Sequence, residues 1–226
     1  MVQQRILSLN IGMPLRMEYQ GKELETGIFK EATEEELFLS FTNLKGDGQA
    51  DLRYHGGKDK AVCVYPFEHY AYWEDQLNRP LSFGAFGENF TSLGLLESEV
   101  CIGDIFAVGS SILQVSQPRQ PCHKLAKKFN VTDLAAQVQD TGFTGFYFRV
   151  LQEGFVNKTD SVILKERNEH QVTIHFANQL MHHDKGNQNG IQKILAVQGL
   201  SDSWFQTLSK RLEGQDHDTT PRMFGD

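Results

Sequence analysis

Over its first 165 residues the chain carries short β-branched and aromatic runs, each cut off by glycine or proline, and that rhythm restricts it to a β-rich fold. Residues 5–10, closed by Gly12 and Pro14, predict a strand. Residues 36–41 predict another, followed by turn material from Asn43 to Gly48, and residues 60–65 a third. Pro66 suits the first turn of a helix, with Phe67, Tyr70, Trp73 and Leu77 following at helical spacing. Residues 103–111 and 112–116 predict a hairpin that delivers the chain to Pro118 and Cys122. Leu125, Ala126 and Phe129 then continue helically, and a second helix runs from Thr132-Asp133 to Gly142. Residues 146–151 and 161–165 read as the last strands.

The periodicity changes near Glu166. Helices are predicted over residues 172–181, over 191–197, and from Ser201, an N-cap, through Trp204, Leu208 and Leu212 to Gly214. The chain therefore divides into a β-rich unit at 1–165, a small three-helix unit at 166–214, and a flexible tail at 215–226. A bundle this small is marginal alone and is expected to dock on the main unit.

Composition removes several classes of function. A net charge of −7 argues against nucleic-acid binding by bulk attraction. No segment approaches the roughly 18 to 20 apolar residues of a membrane span. Three cysteines, an odd number in a chain this long, do not make a secreted disulfide framework, and the lack of any Cys-x-x-Cys pair argues against a zinc ribbon, a dithiol oxidoreductase and an iron–sulfur cluster. With no signal-peptide pattern at the N-terminus, the chain reads as cytoplasmic with reduced thiols.

Cys122 follows Pro121, leads into a helix, and has Arg119, His123 and Lys124 beside it. Positive charge favours thiolate over thiol, and the thiolate is the form that binds metals and attacks electrophiles. Cys63 and Cys101 sit in strand patterns and read as core residues. Around His55-Gly56-Gly57, the glycines can bring backbone N–H groups onto an anion while Arg53, His55 and Lys60 neutralise its charge. The same run can equally be a plain glycine turn. A third run, Gly84-Ala85-Phe86-Gly87-Glu88-Asn89-Phe90, offers the Asn89 amide as donor and acceptor. His182 and His183 are adjacent on a helix and so face different ways, as exposed helix-end histidines.

Taken in order, His55-Gly56-Gly57, Phe86-Gly87-Glu88-Asn89-Phe90, and Ser116-Gln117-Pro118-Arg119-Gln120-Pro121-Cys122-His123-Lys124-Leu125 resemble the MOSC family, the molybdenum cofactor sulfurase C-terminal domain proteins. The resemblance is to the YiiM-like branch and spans nearly the whole chain. It implies an α+β, mainly β architecture: a β-barrel-like MOSC domain with peripheral helices, followed by a three-helix bundle. It also implies a molybdenum cofactor, the metal held by a pterin dithiolene that ends in a phosphate, with Cys122 as the protein's sulfur ligand. Arg53, His55, Lys60, Asn89, Arg119 and Lys124 would hold the pterin and phosphate, and Gly56 and Gly57 would supply backbone donors. Relatives of this kind reduce N-hydroxylated compounds such as hydroxylaminopurines and amidoximes. With no cluster of its own, the chain would need a separate flavin or iron–sulfur reductase as electron donor. The helical unit could serve as that docking surface, as a homodimer contact, or as a cover. Two further readings stay open: a persulfide carrier, which would need a partner desulfurase because no pyridoxal-phosphate domain is present, and a non-catalytic carrier of the cofactor.

Overall fold

Strand β6 (Val62–Pro66) is buried along its whole length, and its two faces organise the protein. Alternation sends successive side chains to opposite sides of a strand. Val62 and Val64 therefore enter one apolar cluster, and Tyr65 enters a second. The computed structural model describes residues 4–215 and 218–224, apart from the side chains of Lys22, Arg53 and Tyr54.

The strands preceding β6 are β1 (Arg5–Ile11), β2 (Leu15–Tyr19), β3 (Lys22–Thr26), β4 (Glu31–Thr33) and β5 (Leu37–Leu39). Those after it are β7 (Phe90–Leu93), β8 (Ile105–Val108), β9 (Ser111–Pro118), β10 (Phe146–Gln152), β11 (Gly154–Val156) and β12 (Val162–Glu166). One mixed sheet of eight strands runs in the order β12-β8-β9-β10-β6-β7-β1-β4, with β6 and β7 parallel and the other pairs antiparallel. A bridge between Arg5 and Ser161 brings the two ends of this sheet toward each other, which gives it its barrel-like curl. The β2–β3 hairpin and a second two-stranded pair, β5 with the distant β11, stand outside it. Strands β2, β3, β4, β7 and β11 were not legible in the sequence pattern; several are short and take their order from pairing with distant partners.

The helices are α1 (Leu52–His55), α2 (Tyr70–Leu77), α3 (His123–Phe129), α4 (Leu134–Thr141), α5 (Ile174–His182), α6 (Gln188–Leu195), α7 (Asp202–Leu212) and α8 (Thr220–Phe224). Helices α2, α3 and α4 cover the outer face of the sheet with Tyr70, Trp73, Leu125, Phe129, Leu134 and Val138. Local chemistry sets several boundaries. The Ser201 hydroxyl accepts the Trp204 N–H and starts α7, and the Thr173 hydroxyl accepts the Phe176 N–H and starts α5. Asn130 and Gly142, both left-handed, end α3 and α4.

The three-helix unit has no core of its own. Ile174, Leu180, Ile191, Ile194, Trp204 and Leu208 belong to the same cluster as Phe106, Leu113, Phe146 and Phe148 of the sheet. Within the segment that the sequence reads as a flexible tail, residues 220–224 form α8, and Met223 is buried. Because the core is shared, Ile194→Ala should cost about 2 to 5 kcal/mol of the whole protein's stability. Urea unfolding followed by far-UV dichroism and by tryptophan fluorescence should then shift as one transition; an early separate phase from the helices would contradict the shared core.

Candidate active site

The register of β6 against β10 decides what faces the site. Val64 pairs with Phe146, Cys63 with Tyr147, and Val62 with Phe148. The apolar members point into the core, so Cys63 and Tyr147 share the opposite face. There they line an open cleft of roughly 640 Å³ including its mouth. Cys63 is buried, as its strand pattern predicts, and it also borders the cleft. Burial pushes its thiol up to about 11 and keeps it protonated. Burial likewise holds the Tyr147 phenol far above its ordinary range, so it too remains a proton donor. Cys101 lies elsewhere, with its sulfur 3.1 Å from Arg167 Nη1.

Cys122 is the last extended residue before α3, and it opens onto the same cleft with 9% of its surface exposed. His55, Lys60, Arg119 and Lys124 surround it, as the sequence predicts, and His55 Nε2 lies 3.9 Å from the Cys122 sulfur. Helix α3 has only seven residues, so the unit charges of these side chains outweigh its partial dipole. Burial first, then Lys124, Lys60 and Arg119, lower the His55 imidazole to about 4. His55 is therefore neutral at physiological pH and is not the imidazolium of a cysteine–histidine ion pair. Burial also depresses Lys60.

Arg119 is the most constrained cation. Its side chain is buried, Nη2 donates to the Phe86 carbonyl at 2.6 Å, and its backbone N–H donates to the Gly145 carbonyl at 3.0 Å. Nη1 is buried and has no hydrogen-bond partner among the described residues. A buried guanidinium nitrogen without an acceptor is costly, and an anionic or carbonyl group in the cleft would satisfy it.

Other predicted residues hold the walls instead. The Asn89 amide is already committed: Nδ2 donates to Asp47 Oδ2 at 2.9 Å and to the Asn10 carbonyl at 3.3 Å, while Oδ1 accepts the Cys63 N–H at 3.0 Å. Asn89 borders the cleft as a brace rather than as an open recognition group. Gly56 and Gly57 are not among the lining residues. Gly57, at φ 90°, turns the chain from α1 into the short 3-10 turn Lys58–Lys60 that carries Lys60 inward. The Arg53 side chain lies outside the described residues.

Sequence reasoning missed Tyr147, Lys30, Gln49 and Gln120, all of which line the cleft. Lys30 is ion-paired with buried Asp47, which also accepts the Gly12 N–H at 2.9 Å, so this lysine is largely neutralised by the wall. Two backbone segments approach closely at the lip: a methyl group on Gly27 would stand 2.4 Å from the Gly48 carbonyl oxygen. Away from the cleft, His182 is half-buried rather than exposed, and burial with the neighbouring Arg222 lowers it to about 3.

These histidines make stability acid-sensitive. The His55 pKa falls from 6.5 in the unfolded chain to about 4 in the folded one, so below pH 6.5 the unfolded chain binds a proton that the folded chain refuses. Stability contributed by neutral His55 is complete above about pH 6.5 and is lost as pH falls toward 4; His182 acts with the same sign to lower pH. His55→Gln should remove about one proton from the pH dependence of the urea-unfolding free energy in that window. An unchanged slope would show that His55 is solvated.

Residues 51–163 match the MOSC domain, and residues 172–215 match the YiiM-like 3-alpha helix domain. YflK of Bacillus subtilis (strain 168) is 52% identical over 206 residues, covering 91% of this chain and 93% of that one. A reductase of Gibberella moniliformis is 36% identical over 152 residues, which is 65% of this chain but 27% of the larger protein. The crystal structure of YiiM from Geobacillus stearothermophilus superimposes with a TM-score of 0.79 at 39% identity, covering 92% of this chain and 99% of that one. With its cleft, its curled mixed sheet and its three C-terminal helices in place, the chain belongs to the MOSC domain family, in the YiiM-like branch.

Proposed function

We propose that this protein is a molybdenum-cofactor-dependent reductase of N-hydroxylated compounds, with the Cys122 thiolate as the protein's ligand to molybdenum. The observation that carries the proposal is the meeting of Cys122 with Arg119, Lys60 and Lys124 in one cleft where Arg119 Nη1 has no acceptor. A soft sulfur beside a ring of cations suits a soft metal on an anionic organic carrier. It suits a bare hard cation poorly, and among the described residues no group of three or more acidic, histidine or cysteine side chains is placed to hold one.

When bound, the cofactor would supply two-electron chemistry, in which R–NHOH, two electrons and two protons give R–NH2 and water. The residues of the chain supply the setting. Arg119, Lys60 and Lys124 would neutralise the phosphate and the dithiolene, and Arg119 Nη1 gains the acceptor it lacks. Sulfur binds such a metal as thiolate, so metal binding at Cys122 would release any proton the sulfur carries. His55 Nε2 is within reach of it, but a histidine lowered to about 4 passes a proton on rather than keeping it. The neutral Tyr147 phenol and the protonated Cys63 thiol line the same space as proton donors. Electrons would come from a separate flavin or iron–sulfur reductase.

Protein made in a host that synthesises the cofactor should contain molybdenum by elemental analysis. With a chemical reductant it should convert 6-hydroxylaminopurine to adenine. In Cys122→Ser, turnover should drop by at least 100-fold with the fold intact, on the order of 3 kcal/mol of lost stabilisation. Equal turnover by the serine variant would remove Cys122 from the mechanism. Tight cofactor binding without turnover would point instead to a carrier, and persulfide on Cys122 after incubation with a desulfurase to sulfur transfer.

A further inference from the structure

Helix α8 lies beyond both family-matched spans, which end at residues 163 and 215. It is nevertheless packed on the site. Met223 is buried, and α8 contacts α3, the helix that begins immediately after Cys122. Arg222 makes the connection. Its Nη1 donates to the carbonyl of Pro121, the residue bonded to Cys122, and its Nη2 donates to Gln139 Oε1 on α4 at 2.8 Å.

That carbonyl has few alternative partners. The segment from Arg119 to Cys122 is neither strand nor helix, so no ladder holds its peptide groups. Arg119 anchors the near end through its N–H to Gly145. At the far end, the Cys122 carbonyl accepts the Leu125 N–H at 2.9 Å as α3 begins. Between these anchors, the Pro121–Cys122 peptide takes its orientation from the planar fork of Arg222, which is fixed in turn by Gln139. A guanidinium can make both bonds at once in a set geometry, whereas an ammonium is a single point donor.

From this arrangement we infer that Arg222 is a positioning residue for Cys122: the C-terminal helix acts as a clamp that fixes the peptide carrying the thiol and restricts its access from solvent. The inference rests on Cys122 being the working thiol, but the clamp itself can be read without cofactor or turnover. A chain ending at Gln215 would keep both family-matched units and lose the clamp.

The three cysteines give the test an internal control. Cofactor-free protein is treated with iodoacetamide at one fixed pH, and the alkylation rate at each cysteine is followed by peptide mass spectrometry. Arg222→Lys keeps the positive charge but cannot span Pro121 and Gln139 together. Gln139→Leu leaves the arginine and removes its anchor. In both variants the Cys122 rate should rise several-fold while Cys63, in the same cleft, and Cys101, outside it, stay at their wild-type rates. An unchanged or slower Cys122 in both variants would overturn the inference. So would a parallel rise at all three cysteines, which marks general loosening. Because Gln139 is a surface-side residue of α4, its variant decides the question even if Arg222→Lys fails to fold. Absence of turnover in cofactor-loaded wild-type protein, with Cys122 alkylation still rising in both variants, would instead count against the reductase proposal and leave the clamp standing.

Discussion

A single buried carboxylate ties the site to the fold. Glu88 is fully buried and accepts the backbone N–H groups of Gly84 and Phe86, each at 3.0 Å, the Thr91 hydroxyl at 2.8 Å, and the Tyr70 hydroxyl. Taking an unpaired carboxylate out of water would be prohibitive, and several donors on one side chain are what make this burial tolerable. The knot fixes the loop from Gly84 to Asn89, and that loop does three things. The Phe86 carbonyl orients Arg119, the Gly84 carbonyl receives Lys128, and the Asn89 amide braces Cys63 and Asp47. Without Glu88 these three supports would lose their common anchor.

The cleft is basic inside an acidic protein, and its cations are not equivalent. Lys30 is answered by Asp47, and Lys128 donates to the carbonyls of Ile28 and Gly84 at 3.1 and 3.2 Å. Burial, with Arg119 and Lys30 adding to it against Glu88, lowers Lys128 to about 8. These two lysines stabilise the wall. Arg119, Lys60 and Lys124 line the cleft itself, and a low-dielectric cleft concentrates their field despite a net charge of −7 on the chain.

What the sequence disclosed was what lay close together along it. Arg119, Cys122 and Lys124 fall within six residues, and His55 and Lys60 within another six, so residue type and local turn chemistry suffice to pick them out. Cys63 and Tyr147 are 84 residues apart and meet only because β6 and β10 pair in one register; a shift of one residue would have buried them in the core. Lys30 reaches the cleft through its pairing with Asp47, which no local pattern announces. Asn89 was rightly placed at the cleft, but its hydrogen-bonding capacity is consumed by partners on three other segments. The tail misled for a related reason: its polar composition conceals a single arginine whose partners are roughly 80 to 100 residues upstream.

The close backbone approach at the lip has a corollary. Because a Cβ at Gly27 would stand 2.4 Å from the Gly48 carbonyl oxygen, that position admits no side chain unless the backbone moves. A change in what the cleft admits would therefore have to fall on neighbours that already carry side chains there, such as Thr26, Gln49 and Gln120.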